Sequence, residues 1–215
     1  VKHLLGRIPR PFGRRWLIWQ SRRPYLRTWD DRPLLVLPGV LDPVATKVGA
    51  WLASVCATAT RPGETWLDMG AGTGIVGVAL ARAGAVVTSV DIDPTAVRNT
   101  QANAALHGVS VEALSSDLFT ALPGRRFDRV VYNIPFWPGD PAGRPFGRAM
   151  YAGREFEAIH AFVAAFPVHA PEAWVVLSEY GGDFPKARAA LGPARLIRRE
   201  RVRGEWLSLF ALPGR

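Results

Sequence analysis

Apolar residues recur along this chain in short blocks whose period alternates between two and about 3.6 residues. Thr65 to Met69, Val86 to Val90, Val111 to Leu114, Phe127 to Tyr132 and Ala173 to Leu177 are compact apolar runs bounded by turn residues, and they read as buried strands. Between them lie stretches with helical spacing: about Gly74 to Arg82, Asp93-Pro94 to His107-Gly108, and Arg154 to His169 with Phe156, Ile159, Phe162, Val163 and Phe166 on one face. A helix around Phe184 to Leu191 then leads to two last strands, Arg195 to Arg201 and Trp206 to Ala211, separated by Arg203-Gly204. Upstream, Leu34 to Leu37 reads as a strand ended by Pro38-Gly39. Asp42-Pro43 starts a helix, the acid as N-cap and proline at the first helical position, which runs through Val44, Val48, Trp51, Leu52 and Val55 to the break at Arg61-Pro62-Gly63. Regular alternation of strand and helix is the signature of βαβ units and a mostly parallel α/β sheet.

Composition narrows the setting. The 215 residues are 48% hydrophobic and 21% charged, with no apolar run of membrane-spanning length and no secretory pattern at the amino terminus. A single cysteine, Cys56, excludes an internal disulfide and a cysteine-built metal site, so no metal is expected and a reducing, cytoplasmic location fits. The net charge of +9 points to an acidic partner such as RNA. The excess is local: between Lys2 and Arg32 nine basic residues stand against Asp30 and Asp31, with Trp16, Trp19, Tyr25 and Trp29 interleaved. We therefore divide the chain into a basic arm, 1–33, and a main domain, 34–215. Such an arm can clamp a phosphate backbone and stack bases, or its aromatics can pack on the domain.

The most informative segment is Asp68-Met69-Gly70-Ala71-Gly72-Thr73-Gly74, between an apolar strand and an apolar-periodic helix. Alternating glycines let the backbone approach a ligand where a Cβ would intrude, and a strand–turn–helix of this kind sits at the carboxyl edge of a parallel sheet. The overlapping run Gly72 to Gly77 also spells a dinucleotide fingerprint, with Asp91 downstream near the required spacing, so a nicotinamide site competes at this point.

Asp-x-Gly-x-Gly-x-Gly resembles the first motif of the class I S-adenosylmethionine-dependent methyltransferases. That resemblance implies a Rossmann-like, seven-stranded, mostly parallel sheet with helices on both faces and a C-terminal antiparallel hairpin. It implies S-adenosylmethionine as cofactor, with Asp68, Gly70, Ala71, Gly72 and Gly74 in the loop against its methionine half. Asp91, at the end of the second strand, would accept the ribose hydroxyls. Asp117, after the third, would accept the adenine amino group, with Ile92 and Leu118 as walls of the ring.

Directly after the fourth strand, Asn133-Ile134-Pro135-Phe136 resembles the Asn-Pro-Pro-(Tyr/Phe) signature of methyltransferases acting on a planar nitrogen, a glutamine amide or an adenine or guanine amine. The Asn133 oxygen and the Ile134 carbonyl would hold the two N–H groups, and Phe136 would stack on the planar group. Ile134 replaces the family's first proline. The acceptor carbonyl survives, while the restriction that proline imposes on Asn133 is lost. Restoring proline at 134 is expected to remove no side-chain contact. Leu37 to Pro43 followed by Thr46 resembles the segment before the cofactor domain in release-factor glutamine methyltransferases, which implies that Asp42 and Thr46 close over the cofactor.

These resemblances cover about residues 34–212 and favour a protein glutamine as acceptor; the arm and the charge favour an RNA or DNA base amine. A small-molecule amine, a nicotinamide oxidoreductase and a catalytically silent RNA-binding module stand as alternatives. Arg144, Arg148 and Arg154, in and beyond the Pro/Gly-rich loop after the signature, suit phosphates.

Overall fold

The structure is a computed structural model that describes residues 20–180 and 182–214. Its sheet forms where the apolar runs predict it. Strands β3 (Thr65–Met69), β4 (Val86–Asp91), β5 (Glu112–Ser115), β6 (Arg129–Tyr132) and β7 (Glu172–Ser178) are parallel; β8 (Arg195–Val202) and β9 (Glu205–Pro213) close the sheet antiparallel. The spatial order is β5-β4-β3-β6-β7-β9-β8. Successive residues of β7 feed opposite cores: Ala173, Val175 and Leu177 join Phe162 and Phe166 on one face, Trp174 and Val176 join Trp66 and Leu52 on the other. Both faces are therefore covered, which is why the parallel strands read as continuous apolar runs.

Helices α1 (Val48–Ala59), α2 (Ile75–Arg82), α3 (Pro94–Leu106), α4 (Gly147–Met150), α5 (Glu157–Ala165) and α6 (Phe184–Ala190) connect them. Asp93 caps α3 as its sequence predicts, its carboxylate accepting the Thr95 N–H. Two helix starts differ. The Asp42 carboxylate does accept the Val44 and Ala45 N–H groups, but Lys47 then takes φ +70° and the α-helix begins only at Val48. Similarly, Phe156 at φ +61° delays the next long helix from Arg154 to Glu157, and Pro167 turns its end into a 3-10 turn, Phe166–Val168.

Much of the arm, including Lys2, Trp16 and Trp19, lies outside the described residues. Its later part is a hairpin of β1 (Tyr25–Trp29) and β2 (Arg32–Val36), so the boundary at residue 33 falls inside a strand. Two fully buried asparagines on α3 bind this hairpin to the domain. Asn103 accepts the Leu35 N–H and donates to the carbonyls of Leu35 and Thr73, all at 2.8 Å; Asn99 accepts from Leu37 and donates to Leu35. Trp29 lies 5.6 Å from the His107 ring, under the Arg82 guanidinium, so this aromatic is spent on packing. Among the described residues, no helix is long and apolar enough to cross a membrane, and no cluster of three or more His, Cys, Asp or Glu is placed to hold a metal.

Asn103→Ala leaves the Leu35 N–H and the Thr73 carbonyl buried without partners. It should lower unfolding free energy by about 2–4 kcal/mol in denaturant melts, whereas Thr95→Ala, which keeps its N–H on the Asp93 cap, should cost under about 1 kcal/mol.

Candidate active site

At the carboxyl ends of β3, β4 and β6 the chain leaves a cleft of about 560 Å³, within the range of small-molecule sites. Gly70, Ala71 and Gly72 line its floor, while Gly74 lies behind it and is not among the cleft residues; the three glycines are all at positive φ (+64°, +58° and +77°). Each is glycine for its own reason. A Cβ on Gly70 would strike the Tyr132 ring at 2.7 Å, and one on Gly74 would meet the backbone of Thr100 at 2.8 Å. One on Gly72 would meet only Val40, at 3.9 Å, and would project toward the cleft.

The loop is held from below and from the side. Asp68 is buried, and its Oδ2 accepts the Gly77 N–H at 3.0 Å and the Ser89 hydroxyl at 3.4 Å, pinning the first turn of α2 to β3 and β4. Burial pushes its carboxyl up to about 7. Asp91 accepts the Gly72 and Asp93 N–H groups, both at 2.9 Å, while still lining the cleft, and burial raises its carboxyl too. Asp117, Ile92 and Leu118 stand on the same wall, Leu118 at φ +47°.

The opposite wall is Val40, Leu41, Pro43, Thr46 and Gly49. Thr46 lines the cleft as the sequence implies. Asp42 does not: its carboxylate turns away into a buried knot with Arg27 Nε (2.5 Å) and the Tyr25 hydroxyl (3.1 Å). Asp42 thus ties the cleft wall to the hairpin and leaves Thr46 to face the ligand side.

On β6 the geometry splits the Asn-Ile-Pro-Phe segment. Asn133 and Pro135 line the cleft. Ile134 is 1% exposed in the core, so its side chain is fully engaged, contrary to the expectation that proline there removes no contact. Phe136 packs against that core and is not among the cleft residues; the aromatics that line the cleft are Tyr132, four residues earlier, and Phe146 in the loop that follows. Neither the Asn133 amide nor the Ile134 main chain has a hydrogen-bond partner among the described residues. Sequence reasoning missed Tyr132, whose position inside the strand reads as core. It also missed Thr73, which lines the cleft and whose buried Oγ1 has no hydrogen-bond partner among the described residues.

The loop after Phe136 forms the roof. Bridges Trp137–Tyr151 and Gly139–Gly153 staple it, and Pro141 to Ala149, with Arg144 and Arg148, face the cleft. Arg144 lies 4.7 Å over the Tyr151 ring. Arg154 lines an adjoining cavity of about 590 Å³, which shares Asp117, Leu118, Tyr132 and Pro135 with the cleft.

This donor set fits S-adenosylmethionine. It combines a glycine turn open at Gly72, an orphaned hydroxyl at Thr73 and carboxylates at two strand ends, beside apolar side chains that can cover a ring. Comparison with known proteins agrees. Residues 47–152 match the methyltransferase small domain. The chain is 34% identical over 110 residues to the ribosomal protein L11 methyltransferase of Thermus thermophilus, covering 50% of this chain and 43% of that one. It is 40% identical over 110 residues to the release factor glutamine methyltransferase of Koribacter versatilis, covering 49% and 39%. Its fold is similar to that of a T. thermophilus 16S rRNA N2 G1207 methyltransferase solved with AdoMet and guanosine, with TM-score 0.62, 23% identity, and coverage of 90% of this chain and 50% of that one. The chain thus spans about two-fifths of the length of these curated relatives.

Asp68 supplies a test of the floor. A carboxyl raised in the fold contributes stability fully present below its unfolded value near 4 and lost as pH rises through about 7. The stability of Asp68→Asn relative to the parent should therefore rise by about 1–3 kcal/mol between pH 5 and pH 8 in thermal melts. A constant difference would mean that Asp68 is ionised throughout. Over residues 47–152 the chain matches the methyltransferase small domain, and in its relatives and its sheet it is similar to S-adenosylmethionine-dependent methyltransferases.

Proposed function

We propose that this protein transfers a methyl group from S-adenosylmethionine to the nitrogen of a planar amide or amine. The observation that carries this reading is Asn133, a side-chain amide on the cleft with no hydrogen-bond partner among the described residues, followed by an Ile134 carbonyl that has none among them either. A planar NH2 group is a weak nucleophile because its lone pair is delocalised into the neighbouring π system. Two acceptors that hold its two N–H groups turn the lone pair out of that plane and polarise it as charge develops. No strong base is needed, since the nitrogen grows acidic as it gains the methyl group and sheds a proton to water. Tyr132 and Pro135 supply apolar surface beside the acceptor, in the role the sequence assigns to Phe136.

When bound, S-adenosylmethionine supplies an electrophilic methyl carbon on a sulfonium. Gly70 to Gly74, Thr73 and Thr46 would hold its amino-acid half. Asp91 would take the ribose hydroxyls with the lone pairs that Gly72 and Asp93 leave open, and Asp117, Ile92 and Leu118 would frame adenine. As acceptor, a protein glutamine is supported by the Leu37 to Thr46 likeness and the release-factor relative. A base amine in RNA or DNA, supported by the +9 charge, presents the same NH2 geometry.

Two outcomes test this. Asn133→Ala should cut methyl transfer on the order of a hundredfold or more while S-adenosylhomocysteine affinity by calorimetry stays within about twofold. Full activity with cofactor binding intact would overturn the planar-nitrogen reading. Asp91→Ala should weaken cofactor binding by about 1.5–3 kcal/mol through loss of charged hydrogen bonds; unchanged affinity removes Asp91 from the ribose role. Ile134→Pro, given the buried isoleucine, should lower stability by about 1–3 kcal/mol, measured by denaturant melts.

A further inference from the structure

The sheet ends on an edge whose chemistry neither the fold nor the cleft requires. From Arg195 to Trp206 the closing hairpin carries five arginines against Glu200 and Glu205. Both acids are engaged: Glu200 accepts the Trp51 indole N–H and pairs with Arg198, and Glu205 pairs with Lys47 and the Ser178 hydroxyl. Arg195, Arg201 and Arg203 are exposed and make no ion pair among the described residues.

Charge on an edge strand guards against edge-to-edge pairing, and that would explain arginines alone. It does not explain the aromatic rings among them. Trp206 is 40% exposed and Tyr180 44%. Arg201 is the cross-strand partner of Trp206, and Arg199 lies two positions away on the same face, its guanidinium 4.4 Å over the indole. Arg199 is also held by both oxygens of Glu179, at 2.7 and 2.6 Å, and Glu179 takes the Ser208 hydroxyl. The Trp206 carbonyl accepts the Glu179 N–H, which brings the turn bearing Tyr180 against the hairpin. The result is a stiff shelf: one indole backed by a fixed guanidinium, a second exposed ring on the turn that meets the hairpin, and along its rim cations with no ion pair among the described residues.

The shelf is continuous with the candidate site. β8 runs parallel to β7, so Arg201 and Arg203 come out at the carboxyl edge of the sheet, the edge that holds the cleft. From β6, which delivers Asn133, to β8 is three strand spacings, about 14 Å. The turn after β7 also touches the acceptor segment: a Cβ on Gly182 would lie 3.2 Å from the Phe136 carbonyl and 3.4 Å from the Trp137 ring.

We propose that Arg199, Arg201, Arg203, Trp206 and Tyr180 form a docking surface for a single-stranded nucleic acid. Trp206 and Tyr180 stack bases, and Arg201 and Arg203 neutralise phosphates, the combination by which single strands are held without sequence readout. Stacking requires unpaired bases, which excludes a duplex, and an acidic peptide has no planar groups to spread over two rings. That the strand bound here presents its own base to Asn133 rests on the proposed reaction; the docking itself does not, and is measured without cofactor.

The test is fluorescence anisotropy of the full chain with labelled twelve-nucleotide RNA and DNA of one sequence, across a salt series. Arg201→Glu/Arg203→Glu should weaken binding tenfold or more, and neutral Arg201→Gln/Arg203→Gln should reduce the slope of log K against log salt by about 1–1.5, two phosphate contacts' worth for a single strand. Arg61→Glu/Arg126→Glu makes the same change in net charge at exposed positions before β3 and β6, on the opposite edge, and should weaken binding less than threefold. Trp206→Ala should weaken binding about tenfold with an unchanged slope. Arg201→Lys/Arg203→Lys should retain binding, and thermal melts check that each variant folds. Tighter binding of RNA or equal binding of both oligonucleotides supports the surface and names its source. Equal loss from the two Arg→Glu double variants reduces the effect to net charge and overturns the proposal. So does a polyglutamate peptide that competes equally with both oligonucleotides, which would give the surface to an acidic protein. Oligonucleotide binding that survives in an Asn133→Ala variant with no methyl transfer separates failure of the reaction from failure of the surface.

Discussion

The cleft depends on how the chain gets out of β3. Within five residues it makes three left-handed turns, at Gly70, Gly72 and Gly74, and then enters a helix pressed so closely on the sheet that Gly77 has no room for a side chain: a Cβ there would lie 2.4 Å from the Ser89 hydroxyl. One buried carboxylate, Asp68, fills that junction and takes the Gly77 N–H. Because α2 is fixed so near the strands, the loop between them stands open toward the cleft, with Gly72 N–H bound sideways to Asp91. The N-terminus of α2, the two strand-end carboxylates and the Asn133 amide then face one space. Loosening Asp68 would move all of them together.

Polar groups that hold backbone, and not salt bridges, connect this floor to its surroundings. Asn103 touches both the hairpin strand β2 and the loop carbonyl of Thr73. A buried amide that satisfies three backbone groups is costly to remove because every partner is stranded in a dry interior. Arg129 plays a related part on the apolar side, lying 5.3 and 5.0 Å over the Trp66 and Trp174 rings, which themselves meet edge-on at 5.5 Å. A cation between two indoles stays near water at its head while its stem covers apolar surface.

How much of this the sequence disclosed follows from what each residue signals alone. Parallel strands announce themselves because both faces are buried, so β3, β4, β6 and β7 lie within about two residues of the apolar runs, and Asp93-Pro94 marks the start of α3 by local chemistry. The glycine loop was legible because three glycines at alternate positions mark left-handed backbone that other residues adopt only at a cost. Lys47 and Phe156 were not, because a non-glycine residue at positive φ carries no mark in sequence, and each shortened a helix. Asn99 and Asn103 look like the wet side of α3 until β2 arrives to cover them, a contact more than sixty residues away in the chain. That Tyr132 lines the cleft while Phe136 packs into the core was hidden because a strand's alternation tells which face a ring is on but not whether that face has reached the rim of the sheet.

The knot of Asp42, Arg27 and Tyr25 sets a lower limit on the piece of chain that can be moved. The matched methyltransferase domain begins at residue 47, yet Val40, Leu41 and Pro43 supply one wall of its cleft, and that wall is moored to β1 by a charge pair 1% exposed on its carboxylate side. A graft that starts at residue 47 would carry the loop and the acceptor segment into a new host without the wall that encloses them. The transplantable unit begins at the hairpin, and a chimera built from this protein has to cross over before Tyr25 to keep a closed cleft.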